Sequence, residues 1–279
     1  MPVLDYDLFV THIVTQPCLP FTIAAGALTV HQLPAAMDNF VWALVAKDGS
    51  GVAAVDGPDA DAVLALCERL GQPLTTVLNT HTHGDHIGIN RDLQRRGLLA
   101  RLRVIGPKSV ADKVPGINEP VGEGDHVSFG GSDAAVWLTE GHLDGHISFV
   151  FPGAVFCGDT LFAGGCGYLF DGPPGKMHAS LTRLAQLPGE TRVCCAHEYT
   201  QDNLRFAWSV DPDNTALAAR IRRVWQLRAQ GHATVPSTIA DELATNPFLR
   251  VNSLAEFTAR RASKDRKEYR TIPDAQLPI

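Results

Sequence analysis

The stretch "LTTVLNTHTHGDH", residues 74–86, joins an apolar run to three histidines and an aspartate within its last six positions. The apolar part is typical of a buried strand. His81 and His83 are two residues apart, so an extended backbone places both side chains on the same side. The glycine that follows them lets the backbone turn, which would direct Asp85 and His86 toward a second point nearby. The stretch therefore predicts a loop at a sheet edge with ligands for two metal ions.

Three further segments place a histidine or an aspartate directly after an apolar run. They are "EGHLDGH" (140–146), "CGDT" (157–160) and "AHEY" (196–199). Strand ends that each carry such a side chain can meet at one sheet edge and share a site. For the histidine-rich stretch taken alone, a polar surface loop is the alternative interpretation. Imidazole and carboxylate ligands suit zinc, iron and manganese, so the residues leave the metal open.

The composition limits the classes of protein to which the chain can belong. Its 279 residues are 45% hydrophobic and 19% charged, which is typical of a globular protein with a sizeable core. The formal net charge of -6 argues against nucleic-acid binding, because such proteins carry a basic excess. No apolar run reaches the roughly 20 residues of a membrane helix, and acidic Asp5 and Asp7 are unlike the basic start of a signal peptide. We therefore expect a cytoplasmic protein without a nucleic-acid or membrane partner.

The pattern of apolar runs changes along the chain. "FVWALVA" (40–46) and "GVAAVD" (51–56) are typical of two strands joined by a turn. Similar runs recur up to about residue 200 with occasional helical patterns between them, which indicates stacked sheets with outer helices. Beyond that point, long helical patterns at 214–231 and 238–244 leave no convincing strand.

This change predicts a domain boundary near residue 198. We expect one domain over residues 1–198 and a helical domain over residues 199–279. Residues 1–25 fit neither pattern, and a packed strand and a loose arm are both open. The six cysteines show no CxxC spacing, so buried, reduced thiols are expected at all six positions.

Several segments together carry a resemblance to a known family. They are "THTHGDH" (80–86), "GHLDGHI" (141–147), "FCGDTLFAGGCG" (156–167), "AHEYTQDNLRFA" (196–207) and "TNPFLR" (245–250). They resemble the metallo-β-lactamase superfamily and, within it, glyoxalase II, the hydroxyacylglutathione hydrolases. The resemblance runs from about residue 30 to residue 267. It implies an α+β fold in which the αββα sandwich of the superfamily is the catalytic domain and a helical C-terminal domain binds substrate.

The resemblance also implies a site for two divalent metal ions, with zinc as the first choice and iron or manganese as alternatives. A hydroxide between the two ions would attack the carbonyl of an S-(2-hydroxyacyl)glutathione thioester, such as S-D-lactoylglutathione. The products would be glutathione and a 2-hydroxy acid, and Asp85 and Asp159 are implied to be catalytic as well as ligands. The implied ligands are His81, His83 and His142 for one ion, Asp85, His86 and His197 for the other, and Asp159 for both.

The contacts to substrate that the resemblance implies are less regular. Tyr168 stands where relatives often have a basic residue, and Phe170 stands where they have tyrosine, so one cationic contact to the glycine carboxylate is missing or moved. The segment "RRASKDRKEYR" (260–270) holds six basic residues against two acidic ones, and a solvated basic helix face is its alternative interpretation. The expected partner is the small thioester, bound by a monomer or a homodimer. The implied substrate contacts are Tyr168, Phe170, His197, Tyr199, Arg261 and Lys264.

Two other functions stay open. One is a different enzyme on the same fold, either a hydrolase of another thioester or an iron persulfide dioxygenase, although relatives of the latter lack a long helical C-terminal domain. The other is a glutathione-binding protein without turnover. His146 is expected to support the site without binding metal. Ordinary surface or core positions are expected for His12, His31, His126, His178 and His232.

Overall fold

The structure, a computed structural model, describes residues 12–279 of the chain. The strands are β1 (Phe21–Ile23), β2 (Leu28–Ala35), β3 (Asn39–Ala46), β4 (Val52–Val55), β5 (Leu74–Leu78), β6 (Arg103–Pro107), β7 (Glu119–Val121), β8 (His126–Phe129), β9 (Ser132–Leu138), β10 (Ile147–Phe151), β11 (Ala154–Gly158), β12 (Leu161–Phe162), β13 (Gly165–Cys166), β14 (Arg192–Cys195) and β15 (Ser237–Thr238). The helices are α1 (Asp61–Leu70), α2 (Gly88–Arg95), α3 (Pro174–Leu184), α4 (Thr200–Val210), α5 (Thr215–Ala229), α6 (Ile239–Thr245) and α7 (Leu254–Asp265).

Two mixed sheets pack face to face. The first has the strand order β1-β2-β3-β4-β5-β6-β7, antiparallel as far as β4 and parallel beyond it. The second has the order β15-β14-β11-β10-β9-β8, in which only β11 and β14 pair in parallel. Strands β12 and β13 form a separate hairpin. With helices outside the sheets, this is the αββα sandwich and the α+β class expected from the sequence.

Strands β3, β4 and β11 are buried along nearly their whole length because both faces of each sheet are covered there, whereas β8 and β9 alternate between buried and exposed residues. Between the sheets, the ring of Trp42 on β3 lies 6.3 Å from that of Phe156 on β11, and the Trp42 indole donates a 2.9 Å hydrogen bond to the carbonyl of Cys195. On the outer face of the first sheet, Leu66 of α1 and Leu93 of α2 belong to a second buried cluster. This double burial explains why "FVWALVA" shows no alternation of polar and apolar residues.

The helical patterns beyond residue 200 are confirmed as α5 and α6. Each helix has a polar side chain that caps its first turn, since Asn214 accepts from the Leu217 amide and Thr238 from the Asp241 amide. The expectation of no strand in this region is wrong, because β15 pairs antiparallel with β14 and forms an edge of the second sheet. Two polar residues give no apolar run, so the pattern carried no signal for this strand.

The question of residues 1–25 is answered only in part. Residues 1–11 lie outside the described residues, and Phe21–Ile23 form β1, which pairs antiparallel with β2.

All six cysteines are free, and five of them are buried as expected, whereas Cys18 is half-buried. Within residues 12–279, we find no helix with both the length and the apolar character needed to cross a membrane.

Candidate metal centre

Four loops meet at one end of the sandwich. They follow β5 of the first sheet and β9, β11 and β14 of the second, whose carboxyl ends share one edge. The ligand atoms within each of two groups lie within 4.8 Å of one another. The first group is His81, His83, His142 and Asp159, and the second is Asp85, His86 and His197. The structure therefore brings together all seven side chains that the family resemblance implies as metal ligands.

Asp159 lies between the two groups. Its Oδ1 is 3.4 Å from the Nε2 atoms of both His86 and His197, and its Oδ2 is 3.5 Å from Nε2 of His142. Asp85 faces only the second group, with Oδ2 at 3.4 Å from Nε2 of His197. One oxygen of Asp159 thus faces each group, which is the arrangement of a carboxylate shared by two cations.

Some polar atoms of the cluster have no hydrogen-bond partner within it, although they are placed to bind metal ions. Nε2 of His86 and Oδ1 of Asp159 are fully buried, and neither has a hydrogen-bond partner among residues 12–279. Buried polar atoms are normally paired, so two such atoms that face each other at 3.4 Å fit a cation that both could bind. Imidazole nitrogens with carboxylate oxygens are a donor set for zinc, iron or manganese. The two groups together indicate a dinuclear metal site.

Two further aspartates hold histidine rings of the second group. Nδ1 of His86 lies 2.9 Å from Asp56 Oδ2, and Nδ1 of His197 lies 2.8 Å from Asp38 Oδ1. Carboxylates in this position fix the ring orientation and leave Nε2 free to face a metal. Asn39 in turn donates a 3.0 Å hydrogen bond to Asp85.

The turn that presents Asp159 depends on a glycine. Gly158 ends β11 with φ of 48°, and a Cβ there would lie 2.3 Å from Oγ1 of Thr80 and 2.8 Å from Nε2 of His146. Only glycine fits such a close approach at a positive φ. Nε2 of His146 accepts the Asp159 amide at 3.2 Å, so the ring supports the loop from behind. This is the supporting position expected for His146.

Burial and neighbouring charges set the protonation of the cluster. Burial, together with nearby His86, holds the pKa of His81 well below its usual value. Burial would lower the pKa of His86 as well, but the carboxylates of Asp159 and Asp56 outweigh it and raise that pKa well above the usual value. Burial would raise the pKa of Asp159, yet His197 and His86 keep it well below its usual range. Asp159 is therefore ionised, and His86 must have an unprotonated Nε2 to serve as a metal ligand.

A cleft of about 630 Å³ borders the cluster. Tyr168, Tyr199, Arg261 and Lys264 all line it, so the structure brings four of the predicted substrate contacts together. The ring of Tyr199 stacks on that of His197, with centroids 4.8 Å apart and planes within 2°, which joins the cleft to the metal ligands. Asp38, the partner of His197, also lines the cleft.

Phe170 lies apart from the cleft lining. Its ring is 59% exposed and stands edge-on to His83 and His142, at 5.0 and 5.3 Å between centroids. Tyr168, 51% exposed, contacts it at 4.8 Å. The two aromatic side chains therefore form an apolar rim over the first group of ligands.

The wall of the cleft that comes from the helical region has a net positive charge, since four basic side chains outnumber the carboxylates of Asp202 and Asp265. Arg261 pairs with Asp265 at 2.5 Å and donates to the carbonyl of Cys166 at 3.1 Å. Lys264 contacts Oδ1 of Asn203, and burial lowers the pKa of its ammonium to about 8. Exposed Lys267 follows on the same wall. An anionic ligand would meet these charges on entering the cleft.

Known families match nearly the whole described chain. The sequence model of the metallo-beta-lactamase superfamily matches residues 49–197, and that of the hydroxyacylglutathione hydrolase C-terminus matches residues 198–272. The chain is 48% identical over 228 residues to hydroxyacylglutathione hydrolase of Gloeobacter violaceus, covering 81% of this chain and 90% of the relative. The chain belongs to the hydroxyacylglutathione hydrolase family. An enzyme of that name from a Synechococcus species is also 48% identical, over 80% of this chain and 88% of its own length.

Solved structures agree with this fold. ETHE1 from Myxococcus xanthus superposes with a TM-score of 0.63 at 24% identity, over 89% of this chain and 93% of that one. At this identity the likeness concerns the fold alone. The family assignment rests on the hydroxyacylglutathione hydrolase relatives and on both family models.

Several residues of this hydroxyacylglutathione hydrolase site were not anticipated. Asp38 and Asp56 are isolated aspartates in the sequence, and only the fold places them behind His197 and His86. His12, expected at an ordinary position, lines the cleft with its ring 5.3 Å from that of Tyr199.

The turn within "HTHGDH" also forms differently from the expectation. The amide of His86 donates to the carbonyl of His83 at 3.1 Å, and a Cβ at Gly84 would meet only a side-chain nitrogen of Arg91 at 3.8 Å. Because there is room for a side chain, the turn rests on this hydrogen bond more than on the freedom of the glycine.

Proposed function

We propose that this chain catalyses the metal-dependent hydrolysis of S-(2-hydroxyacyl)glutathione thioesters, such as S-D-lactoylglutathione, to glutathione and a 2-hydroxy acid. The observation that carries the proposal is the joining of two His/Asp groups to a cleft with a cationic wall through Tyr199. The relatives named hydroxyacylglutathione hydrolase support the same reaction.

The two groups of side chains support the division of metal ligands that the family resemblance implies. Zinc is the first choice for both ions, with iron or manganese as alternatives, because the donors are imidazoles and carboxylates. When bound, two divalent ions would polarise the thioester carbonyl and lower the pKa of a water molecule toward 7. We assign His81, His83 and His142 to one ion, Asp85, His86 and His197 to the other, and Asp159 to both.

The chain itself keeps this centre in a fixed arrangement. Asp56 and Asp38 hold the rings of His86 and His197, and the ionised Asp159 supplies negative charge to both positions. Burial next to Asp38 raises the pKa of Tyr199, so its hydroxyl stays protonated at the edge of the cleft. The departing thiolate needs no acid, since a free thiol has a pKa of about 8.5.

The cationic wall is suited to the thiol half of the substrate. Glutathione carries two carboxylates, which hydrogen-bond strongly to cationic side chains. Arg261 and Lys264 stand on this wall, next to exposed Lys267. We infer that residues 199–279 form the substrate-binding domain and that the enzyme acts as a monomer or homodimer. The six free cysteines support a reducing, cytoplasmic location.

The proposal is tested by measuring S-D-lactoylglutathione hydrolysis, both as loss of the thioester and as release of the thiol. The protein is assayed as purified, after chelation, and after each of Zn²⁺, Fe²⁺ and Mn²⁺ is restored. We expect turnover that disappears on chelation and returns with metal. Two equivalents of bound metal without turnover would contradict the proposal. Oxygen consumption with glutathione persulfide would instead identify an iron dioxygenase.

The aromatic rim favours a second candidate substrate. Tyr168 and Phe170 are exposed next to His83, where an apolar substituent of a thioester would cover them. Burial of such surface contributes about 25 cal/mol per Å². If the rim binds the acyl group, this enzyme should show a higher kcat/KM for S-mandeloylglutathione, whose acyl group carries a phenyl ring, than for S-lactoylglutathione. Equal kcat/KM for the two thioesters would leave the rim without a role in specificity.

A further inference from the structure

The β12–β13 hairpin (Leu161–Cys166) is held by side chains from the helical region. The amide of Gly164 at its tip donates to Oε2 of Glu242 at 2.8 Å. The side-chain amide of Asn246 donates to the carbonyls of Gly165 at 2.9 Å and Phe162 at 3.2 Å. A two-residue ladder provides few backbone hydrogen bonds of its own, so these contacts hold the hairpin together with the bonds from Asn203 to the carbonyl of Ala163 and from Arg261 to that of Cys166.

The side chains that hold the hairpin form a buried polar network. Glu242 and Asn246 are both fully buried, and Asn246 also donates to Glu242 at 2.9 Å. Arg220 of α5 balances the charge of Glu242 at 2.6 Å and donates to Thr245 at 2.5 Å. Burying such a pair costs desolvation energy, and a fully satisfied network gives rigidity in return.

The hairpin leads directly to a predicted metal ligand. The chain leaves β13 through Gly167 to Tyr168, whose carbonyl lies 2.8 Å from Nδ1 of His142. A Cβ at Gly167 would lie 2.0 Å from the carbonyl oxygen of Asp159 and 3.0 Å from that same nitrogen. A shift of the hairpin would therefore move the carbonyl that orients the His142 ring.

We propose that Glu242 and Asn246 are positioning residues for metal binding, and that they act on His142 through the hairpin. A backbone carbonyl that accepts from one ring nitrogen fixes the tautomer and aims the other nitrogen at the metal. The helical region then serves the metal centre as well as the cleft. The inference rests on the proposed role of His142 as a ligand.

Metal affinity of the Asn246→Ala variant tests this inference. Apo protein, prepared by chelation, is titrated with Zn²⁺ or Co²⁺ in competition with a chelating dye. We expect the affinity for one of the two ions to fall by about 10- to 100-fold, the range for residues that orient a ligand. Affinity within about twofold of the unmodified protein would overturn the inference.

Thr245→Val is the matched control. Thr245 is buried on the same helix and bonds to Arg220, but it has no hydrogen bond to the hairpin among the described residues. The control should lower Tm as Asn246→Ala does and leave metal affinity unchanged. An equal loss of affinity in both variants would attribute the effect to general destabilisation and overturn the inference.

A second pair of variants covers the case in which Asn246→Ala does not fold. Glu242→Gln keeps an acceptor for the Gly164 amide, whereas Glu242→Ala removes it. Glu242→Gln should retain more metal affinity than Glu242→Ala, and equal losses would count against the hairpin contact. Metal affinity is measured without substrate. If the unmodified protein failed to hydrolyse the thioester, the proposed reaction would be contradicted, but the metal affinities of the variants would still test this inference.

Discussion

The His/Asp cluster and the cleft beside it are built in different ways. In the cluster, every histidine except half-buried His83 is buried, and carboxylates orient two of the rings, as Asp56 holds His86 and Asp38 holds His197. The cleft combines loop and helix residues, among them half-exposed Tyr168 and exposed Lys267. Rigidly held side chains suit metal ions, which require a fixed coordination geometry. A cleft lined by loops and helices suits a flexible organic molecule. Substitutions in the cluster should therefore change kcat and metal content, and substitutions in the cleft should change KM.

The largest effect should follow from Asp159→Ala, since this carboxylate faces both groups of ligands. We expect loss of bound metal together with a fall in kcat/KM of at least about 10³-fold, which corresponds to about 4 kcal/mol of transition-state stabilisation. Metal content by atomic emission and steady-state kinetics are the measurements. Asp48→Ala in the exposed turn after β3 is the control and should change neither. Normal metal stoichiometry in Asp159→Ala would remove the basis for the assignment.

A smaller effect is expected from Asp56→Asn, which removes the charge behind His86 and keeps the side-chain shape. Asp56 has φ of 53°, a conformation that asparagine tolerates, so the backbone should not change. Metal affinity should fall by about 10- to 100-fold with KM nearly constant. Chelator competition and the KM for S-D-lactoylglutathione decide it. A rise in KM without loss of metal would show that Asp56 contributes to substrate binding and not to metal binding.

Lys264→Met should raise KM and leave metal affinity unchanged. Removing one charged hydrogen-bond donor costs about 1.4 kcal/mol of substrate binding, or about a tenfold rise in KM, while kcat and metal content stay constant. Lys264 is buried in the cleft wall, and methionine has a similar length, so the wall should keep its packing. A loss of kcat at unchanged KM would contradict a role in binding.

The pH dependence of KM gives the smallest expected effect. Burial, with Arg261 nearby, lowers the pKa of Lys264 to about 8, so the ammonium loses its proton as the pH rises through that value. An anionic substrate then binds less tightly, and KM should rise about threefold between pH 7 and pH 8.5 if the neutral form binds about tenfold more weakly. Arginine stays charged over this range, so Lys264→Arg should show a flat profile. Parallel profiles in both proteins would assign the titration to another group.

The sequence predicted features that depend on neighbouring residues and missed those that depend on contacts between distant parts of the chain. The meeting of His and Asp side chains at one sheet edge was predicted correctly, because strand ends such as "CGDT" and "AHEY" place these residues next to apolar runs that are visible locally, whereas the seven proposed ligands came from the family resemblance. The supports were not found, since Asp38 and Asp56 reach their histidines from about 159 and 30 residues away in the chain. The sandwich and the helices followed from the apolar pattern. β15 did not, because two polar residues at a sheet edge have no periodicity to detect.

The short strand β15 has a consequence for how the molecule can be divided. Ser237 and Thr238 pair with Val193 and Arg192 of β14, the strand that leads to His197. A chain cut at residue 198 would leave β14 as an open edge, with unpaired amides and carbonyls available to another molecule. The β-sandwich expressed alone should therefore aggregate, whereas the intact chain should unfold in one cooperative step. We therefore expect the two sequence regions on either side of residue 198 to fold together, since β15 from the second region completes a sheet of the first.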